Sequence, residues 1–248
     1  MDFIIDSLRL KEIPEKKIPF VLIEALISDD NNGRMKLLEL EKTLWVNKKT
    51  LKEFRNTLAT VFDAAGQRVI IQYLGGDVAE LERRKYYNAG NNGYDVYKRM
   101  FQVALKLINP DNSYYYKNLK VKLHYFTGVA TRLKITVTEK AKQKPLIEAA
   151  LAEQKKALAL EENGAYIYNE MGILYLYKQD MLKAGEYFKI AAARSPTWAI
   201  PYANLAGLYT QNNQLEKARL SLDTAKSLQP EFREILNGYC VFFRQKKN

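Results

Sequence analysis

The chain has few of the residues from which most catalytic and metal sites are built. Its 248 residues include one cysteine, Cys240, and one histidine, His124. A single cysteine cannot form an internal disulfide, which fits a reducing compartment. One histidine with one cysteine falls short of a four-ligand zinc set. His124, between Leu123 and Tyr125 on a predicted helix, reads as a structural side chain. Cys240, between Tyr239 and Val241, reads as buried and inert. No glycine loop ends in Gly-Lys-Ser or Gly-Lys-Thr, and no G-x-G-x-x-G follows a strand. The acid pairs Asp29-Asp30 and Glu161-Glu162 fall in turns, where capping accounts for them. An enzyme is therefore not expected, nor is a cofactor, a metal or a catalytic residue.

Long apolar runs are also missing. The longest, residues 18–27, is broken by Glu24 and is well short of the roughly 18 residues a membrane span needs. The opening MDFIIDSLRL has two aspartates and no basic run, unlike a secretion signal. A cytoplasmic location is expected. At 47% apolar and 27% charged residues, the composition is that of a folded chain.

What the sequence does have is a period of 34 residues. Residues 165–198 and 199–232 superpose, with Tyr168 on Tyr202, Met171 on Leu205, Gly172 on Ala206 and Tyr175 on Tyr209. Farther on, Ala184 matches Ala218, Phe188 matches Leu222, Ala191 matches Ala225 and Pro196 matches Pro230. Such a period predicts stacked helical hairpins. Small residues allow helices to cross closely, large ones fill the spaces beside them, and each proline marks a helix boundary. These positions closely resemble the tetratricopeptide repeat (TPR) family over 165–230. The resemblance implies an all-α, right-handed α-solenoid of antiparallel helix pairs.

Upstream the resemblance is looser, over about 78–164. Ala150 and Ala157 suit a B helix, with 119–133 as its A helix and Gly128 as the crossing residue. The segment KITVTEKAKQK between them reads as an extended loop or an overlong helix end. Residues 94–107 suit an earlier B helix, with 78–87 as its A helix and Asp77 with Glu80 as a capping box. Residues 1–76 read as a helical region: degenerate repeats or a separate small domain. It would hold short helices over 19–27 and 34–45, then a long helix capped by Thr50 and Glu53 and ending at Gly75-Gly76. Residues 231–248 form a C-terminal capping helix, burying Phe232, Ile235, Leu236 and Phe242.

Charge is uneven. Residues 83–144 hold fourteen Lys or Arg and three acids, an excess of +11 that equals the formal charge of the whole chain. Arg83, Arg84, Lys85, Lys98, Arg99, Lys117, Lys120, Lys122, Arg132, Lys134, Lys140, Lys142 and Lys144 are the candidate polyanion-binding residues of this belt. Tyr86, Tyr87, Tyr94, Tyr97, Tyr114, Tyr115, Tyr116 and Tyr125 are interleaved with them. Helix packing accounts for most of these tyrosines. Nucleic-acid binding through the belt is the alternative function, without a recognised motif to support it.

The TPR resemblance implies a concave groove lined by A helices, and so a protein or peptide partner. Matching positions place Tyr166, Asn169, Glu170, Ile173, Leu176 and Tyr177 in that groove. Ile200, Ala203, Asn204, Gly207, Thr210 and Gln211 follow from the next unit. Asn204 sits at an asparagine position that some members use to clamp a terminal carboxylate, but the accompanying lysines and arginines are missing. An extended or helical peptide with apolar anchors suits this face better. An architectural role in a larger assembly, and homo-oligomerisation through the solenoid's ends or groove, remain open alternatives.

Overall fold

The computed structural model describes residues 48–85, 93–108, 113–231 and 233–246. The helices expected over 19–27 and 34–45 lie outside these residues, as do Phe232 and the turn at Asn109-Pro110. The described residues form ten α-helices and no strand. They are α1 (Lys48–Leu74), α2 (Val78–Arg83), α3 (Gly93–Leu107), α4 (Ser113–Ile135) and α5 (Gln143–Leu160). There follow α6 (Ala165–Tyr177), α7 (Met181–Arg194), α8 (Ala199–Gln211), α9 (Leu215–Leu228) and α10 (Arg233–Lys246).

The periodic residues build antiparallel pairs α6–α7 and α8–α9, with α4–α5 before them. Within each pair the small residues are at the crossing. Ala184, Ala191, Ala218 and Ala225 are fully buried. A Cβ added at Gly172 would come within 2.4 Å of the Phe188 ring, so a larger side chain there overpacks the crossing. At Gly128 the corresponding neighbour is the Gln154 amide nitrogen, at 2.2 Å. That amide donates to the Tyr125 carbonyl of α4 at 3.1 Å, so α4 and α5 are joined by a buried hydrogen bond where α6 and α7 use the Phe188 ring.

The turn within each pair recurs too. Gln179 and Asn213, 34 positions apart, have φ of 64° and 55°. Each gives its helix a left-handed end, with the next residue's amide reaching back to Tyr175 and Tyr209. Gly76, at φ 68°, ends α1 in the same way, and the Asp77 amide reaches back to Gln72. The loop between α4 and α5 is a turn followed by one 3₁₀ turn at Lys140–Lys142.

Three local expectations change. Helix α1 already runs through Thr50, so Thr50 is interior and not its cap. Asp77 caps α2 by accepting from the Glu80 amide at 2.8 Å, but the Glu80 carboxylate turns inward to Arg84 and Tyr94 instead of completing the box. Helix α3 packs on α1 and α4, not in a hairpin with α2. At six residues α2 is under two turns long and offers too little apolar surface to be a partner. The 27-residue α1 takes that place.

Candidate functional site

The face of α6 and α8 on which the resemblance places the groove has two unlike halves. Near the helix N-termini the side chains point into protein. Tyr166 packs edge-on against Tyr125, with ring centroids 4.6 Å apart, and donates to Glu161 at 2.8 Å. Burial and the Glu161 carboxylate push the Tyr166 phenol well above its ordinary range. Asn169 and Glu170 are fully buried, and Ile200 nearly so. Asn204 donates to the Asn169 carbonyl oxygen at 2.9 Å. Near the C-termini the face opens. Ile173, Leu176 and Tyr177 are half-buried, Gln211 is exposed, and Ala203 and Asn204, nearer the middle of α8, are half-buried at the border between the halves. Gly207 is exposed, and a Cβ built there would meet nothing within 4 Å. Thr210 is buried, its hydroxyl donating to the Ala206 carbonyl at 2.8 Å.

The closed half is filled by the chain's own elbow, the end of α1 with α2. The Tyr73 hydroxyl accepts from the Asn169 amide at 2.7 Å. The Tyr73 ring meets Trp198 edge-on at 5.0 Å, and the Trp198 indole N–H donates to the Tyr73 carbonyl at 3.2 Å. Gln229, at the end of α9, donates to the Gly76 carbonyl at 3.2 Å. A side chain at Gly76 would collide with that amide, and the residue's positive φ independently favours glycine.

Behind Tyr73 lies a buried charge network. The Arg84 guanidinium stands 3.5 Å from the Tyr73 ring centre and faces the Tyr94 and Tyr125 rings at 5.5 and 5.7 Å. It donates to Glu80 and to the Tyr125 hydroxyl, both at 2.8 Å. Arg132 reaches from α4 to Glu170 on α6 at 2.7 Å and donates to the Arg84 carbonyl at 3.2 Å. Burial alone would make Arg84 easier to deprotonate. Tyr125, Tyr94, Tyr73 and Glu80 around it reverse that and hold it cationic. Burial pushes the Tyr73, Tyr94 and Tyr125 phenols well above their ordinary range, so they stay neutral donors and acceptors. These groups face one another in a closed interior and join α1, α2, α4 and α6.

The basic belt divides along the same line. Arg84, Lys122 and Arg132 are buried. Lys122 pairs with Asp63 of α1 at 2.6 Å. Arg83 pairs with Glu80 and Lys85 with Glu82. Lys134 sits 3.5 Å from Asp95, and Lys120 lies over the Tyr116 ring. Lys142 pairs with Glu139 in solvent. Lys98 and Arg99 are half-buried, whereas Lys117, Lys140 and Lys144 are exposed. Of the interleaved tyrosines, Tyr94 and Tyr125 are buried, Tyr97, Tyr115 and Tyr116 are half-buried, and Tyr114 stands out at 76% exposure; Tyr86 and Tyr87 lie outside the described residues.

Other candidates resolve simply. His124 Nδ1 lies 2.8 Å from Glu153 on α5 and joins the α4–α5 pair. Cys240 is exposed and not buried as its apolar neighbours suggested, because no described element covers its side of α10. A crevice of about 470 Å³ is lined by residues including Gln67, Lys117, Lys122, Glu161 and Tyr166, with the Lys122 ammonium and the Tyr166 hydroxyl already paired. Among the described residues no cluster of His, Cys, Asp and Glu could hold a metal, and no helix is long and apolar enough to cross a membrane.

Ordered helix pairs at a 34-residue period, with small residues at each crossing and repeated left-handed turns, define a TPR-like α-solenoid. No family model matches the chain, and no curated protein resembles it in sequence. Among solved structures it is similar to the crystal structure of YrrB, described as a TPR protein with an unusual peptide-binding site. The two are 24% identical over 80% of this chain and 96% of that one, with a TM-score of 0.46.

Proposed function

We propose that this chain is a non-enzymatic protein-interaction module. It takes a peptide segment of a partner protein, extended or helical and with apolar anchors, along the open half of the α6–α8 face. One observation carries this reading. The elbow fills the N-terminal half of the face, while Ile173, Leu176, Tyr177 and Gln211 keep access to solvent around the empty space at Gly207, with Ala203 at its border. A preformed surface costs little conformational entropy to occupy. The partner would desolvate Tyr177 and Ile173, and Gln211 would offer polar contacts at the rim. Asn169 is committed to Tyr73, so it serves the surface indirectly.

The polyanion alternative draws less support, since Arg84, Lys122 and Arg132 are spent on internal contacts. Affinity for single-stranded nucleic acid falling steeply with salt would restore it.

Selection from a displayed random-peptide library, followed by titration of the selected peptides, tests the groove. Sequences with apolar anchors are expected. Tyr177→Ala with Gln211→Ala should weaken them at least tenfold, a change of about 1.4 kcal/mol, while the far-ultraviolet spectrum stays as it was. Peptides that bind the double variant as well as the parent chain would place recognition elsewhere.

A further inference from the structure

The crevice of about 470 Å³ lies between α1, α4 and the turn from α5 to α6, at the opposite end of α6 from the open half of the groove. Its volume is within the roughly 300–1,000 Å³ that small-molecule sites occupy. Lys117, Asn118, Val121 and Lys122 line it from one face of α4, as side chains about three or four residues apart do. Glu161 and Glu162 line it from the turn, beside Tyr166 in the first turn of α6.

The crevice thus holds two cations on one element and two carboxylates on another, and among the described residues no ion pair joins the two sets. Each inner charge is anchored at its own side. The buried Lys122 ammonium donates to Asp63 of α1 at 2.6 Å, and Glu161 accepts from the Tyr166 hydroxyl at 2.8 Å. Because burial and that carboxylate hold the phenol well above its ordinary range, Tyr166 stays a donor. An ammonium has three N–H groups and a carboxylate two oxygens, so these bonds leave two Lys122 donors and the second Glu161 oxygen for other partners. Lys117 and Glu162 are exposed.

We propose that this crevice binds a small zwitterion, a free amino acid or a dipeptide, with its carboxylate on Lys117 and Lys122 and its ammonium on Glu161 and Glu162. Charge decides the class. An anion would meet the lysines but also two carboxylates, and a cation would meet the reverse. A neutral molecule such as a sugar would displace water from four charged groups and offer none of them a counter-charge, which costs free energy. A ligand carrying both signs complements both sets at once. The Asn118 and Asn163 carboxamides, each a donor and an acceptor, add partners for the peptide bond of a dipeptide. The site shares no residue with the open half of the groove, so the two stand or fall separately.

Calorimetric titration of the full chain with the common free amino acids, and with dipeptides of the same residues, tests this. Members of one set should bind at millimolar concentration or below, and the set that does so fixes the length of the ligand. N-acetylation removes the ammonium of a binder and C-terminal amidation removes its carboxylate; each should weaken binding at least tenfold. Lys117→Gln and Glu162→Gln, both at exposed positions, should each do the same while leaving the helical spectrum and the affinity for groove-selected peptides as they were. A chain that binds neither set at millimolar concentration would overturn the proposal. So would acetylated or amidated compounds that bind as well as the free ones, or a zwitterion whose affinity neither substitution changes.

Discussion

Asn169 donates its side-chain amide to the Tyr73 hydroxyl at 2.7 Å, across 96 positions of sequence. The bond joins a repeat position expected to face a ligand to a helix that precedes the clear repeats. Removing the phenolic oxygen in Tyr73→Phe would leave the buried Asn169 amide without that acceptor. Stability is expected to fall by about 1–3 kcal/mol, the usual cost of a buried unsatisfied donor. Urea unfolding reads this as a lower midpoint with an unchanged slope. A midpoint equal to the parent's would mean that the hydroxyl contributes nothing to the joint.

Arg132 and Glu170 pair with side chains 5% and 0% exposed. Breaking such a pair strands a charge in the interior. Glu170→Gln is expected to cost about 3–5 kcal/mol. The double substitution Arg132→Met with Glu170→Leu should cost less than the single one, because it removes both charges from the protein. Chemical denaturation of the single, double and parent chains checks the order. A double variant less stable than Glu170→Gln would show that the pair does more than neutralise itself.

Glu153 governs part of the acid response. Burial alone would raise its carboxyl, but hydrogen bonds from Lys156 and His124 overcome that and hold it below its ordinary 4.5. A depressed value in the folded chain means that the stabilisation is present above the unfolded carboxyl's value. It is lost as pH falls through the folded one. Glu153→Gln should therefore flatten the acid limb of stability below about pH 5 and change little near neutrality apart from the lost hydrogen bonds. Thermal unfolding across that range measures it, and an unchanged acid limb would assign the response to other carboxylates.

Much of the repeat architecture could be read from residue order. Gly172, Ala184 and Ala206 announce close crossings because only small side chains fit there, and Pro196 and Pro230 announce boundaries because they lack a donor. The two-sidedness of the groove could not be read. Tyr73 carries no local mark of its contact with Asn169, since a hydrogen bond across 96 positions leaves no spacing pattern. Glu80 misled for a related reason: three residues after Asp77 it looks like a cap, and only the approach of Arg84 and Tyr94 recruits it inward. Arg84 and Arg132 looked like members of a solvated belt, because charge counts do not say which cations tertiary contacts will bury. Cys240 has apolar neighbours on both sides, and its exposure depends on whether another helix lies across it.

The Gly76–Gln229 contact bridges 153 positions. An ordinary solenoid touches only its nearest neighbours, so its ends fray independently and its melting spreads along one dimension. Here the last intact hairpin is clasped by a strap from near the beginning of the described chain. Fraying at the C-terminal end must release that clasp as well, which ties the last hairpin to the α1–α2 elbow.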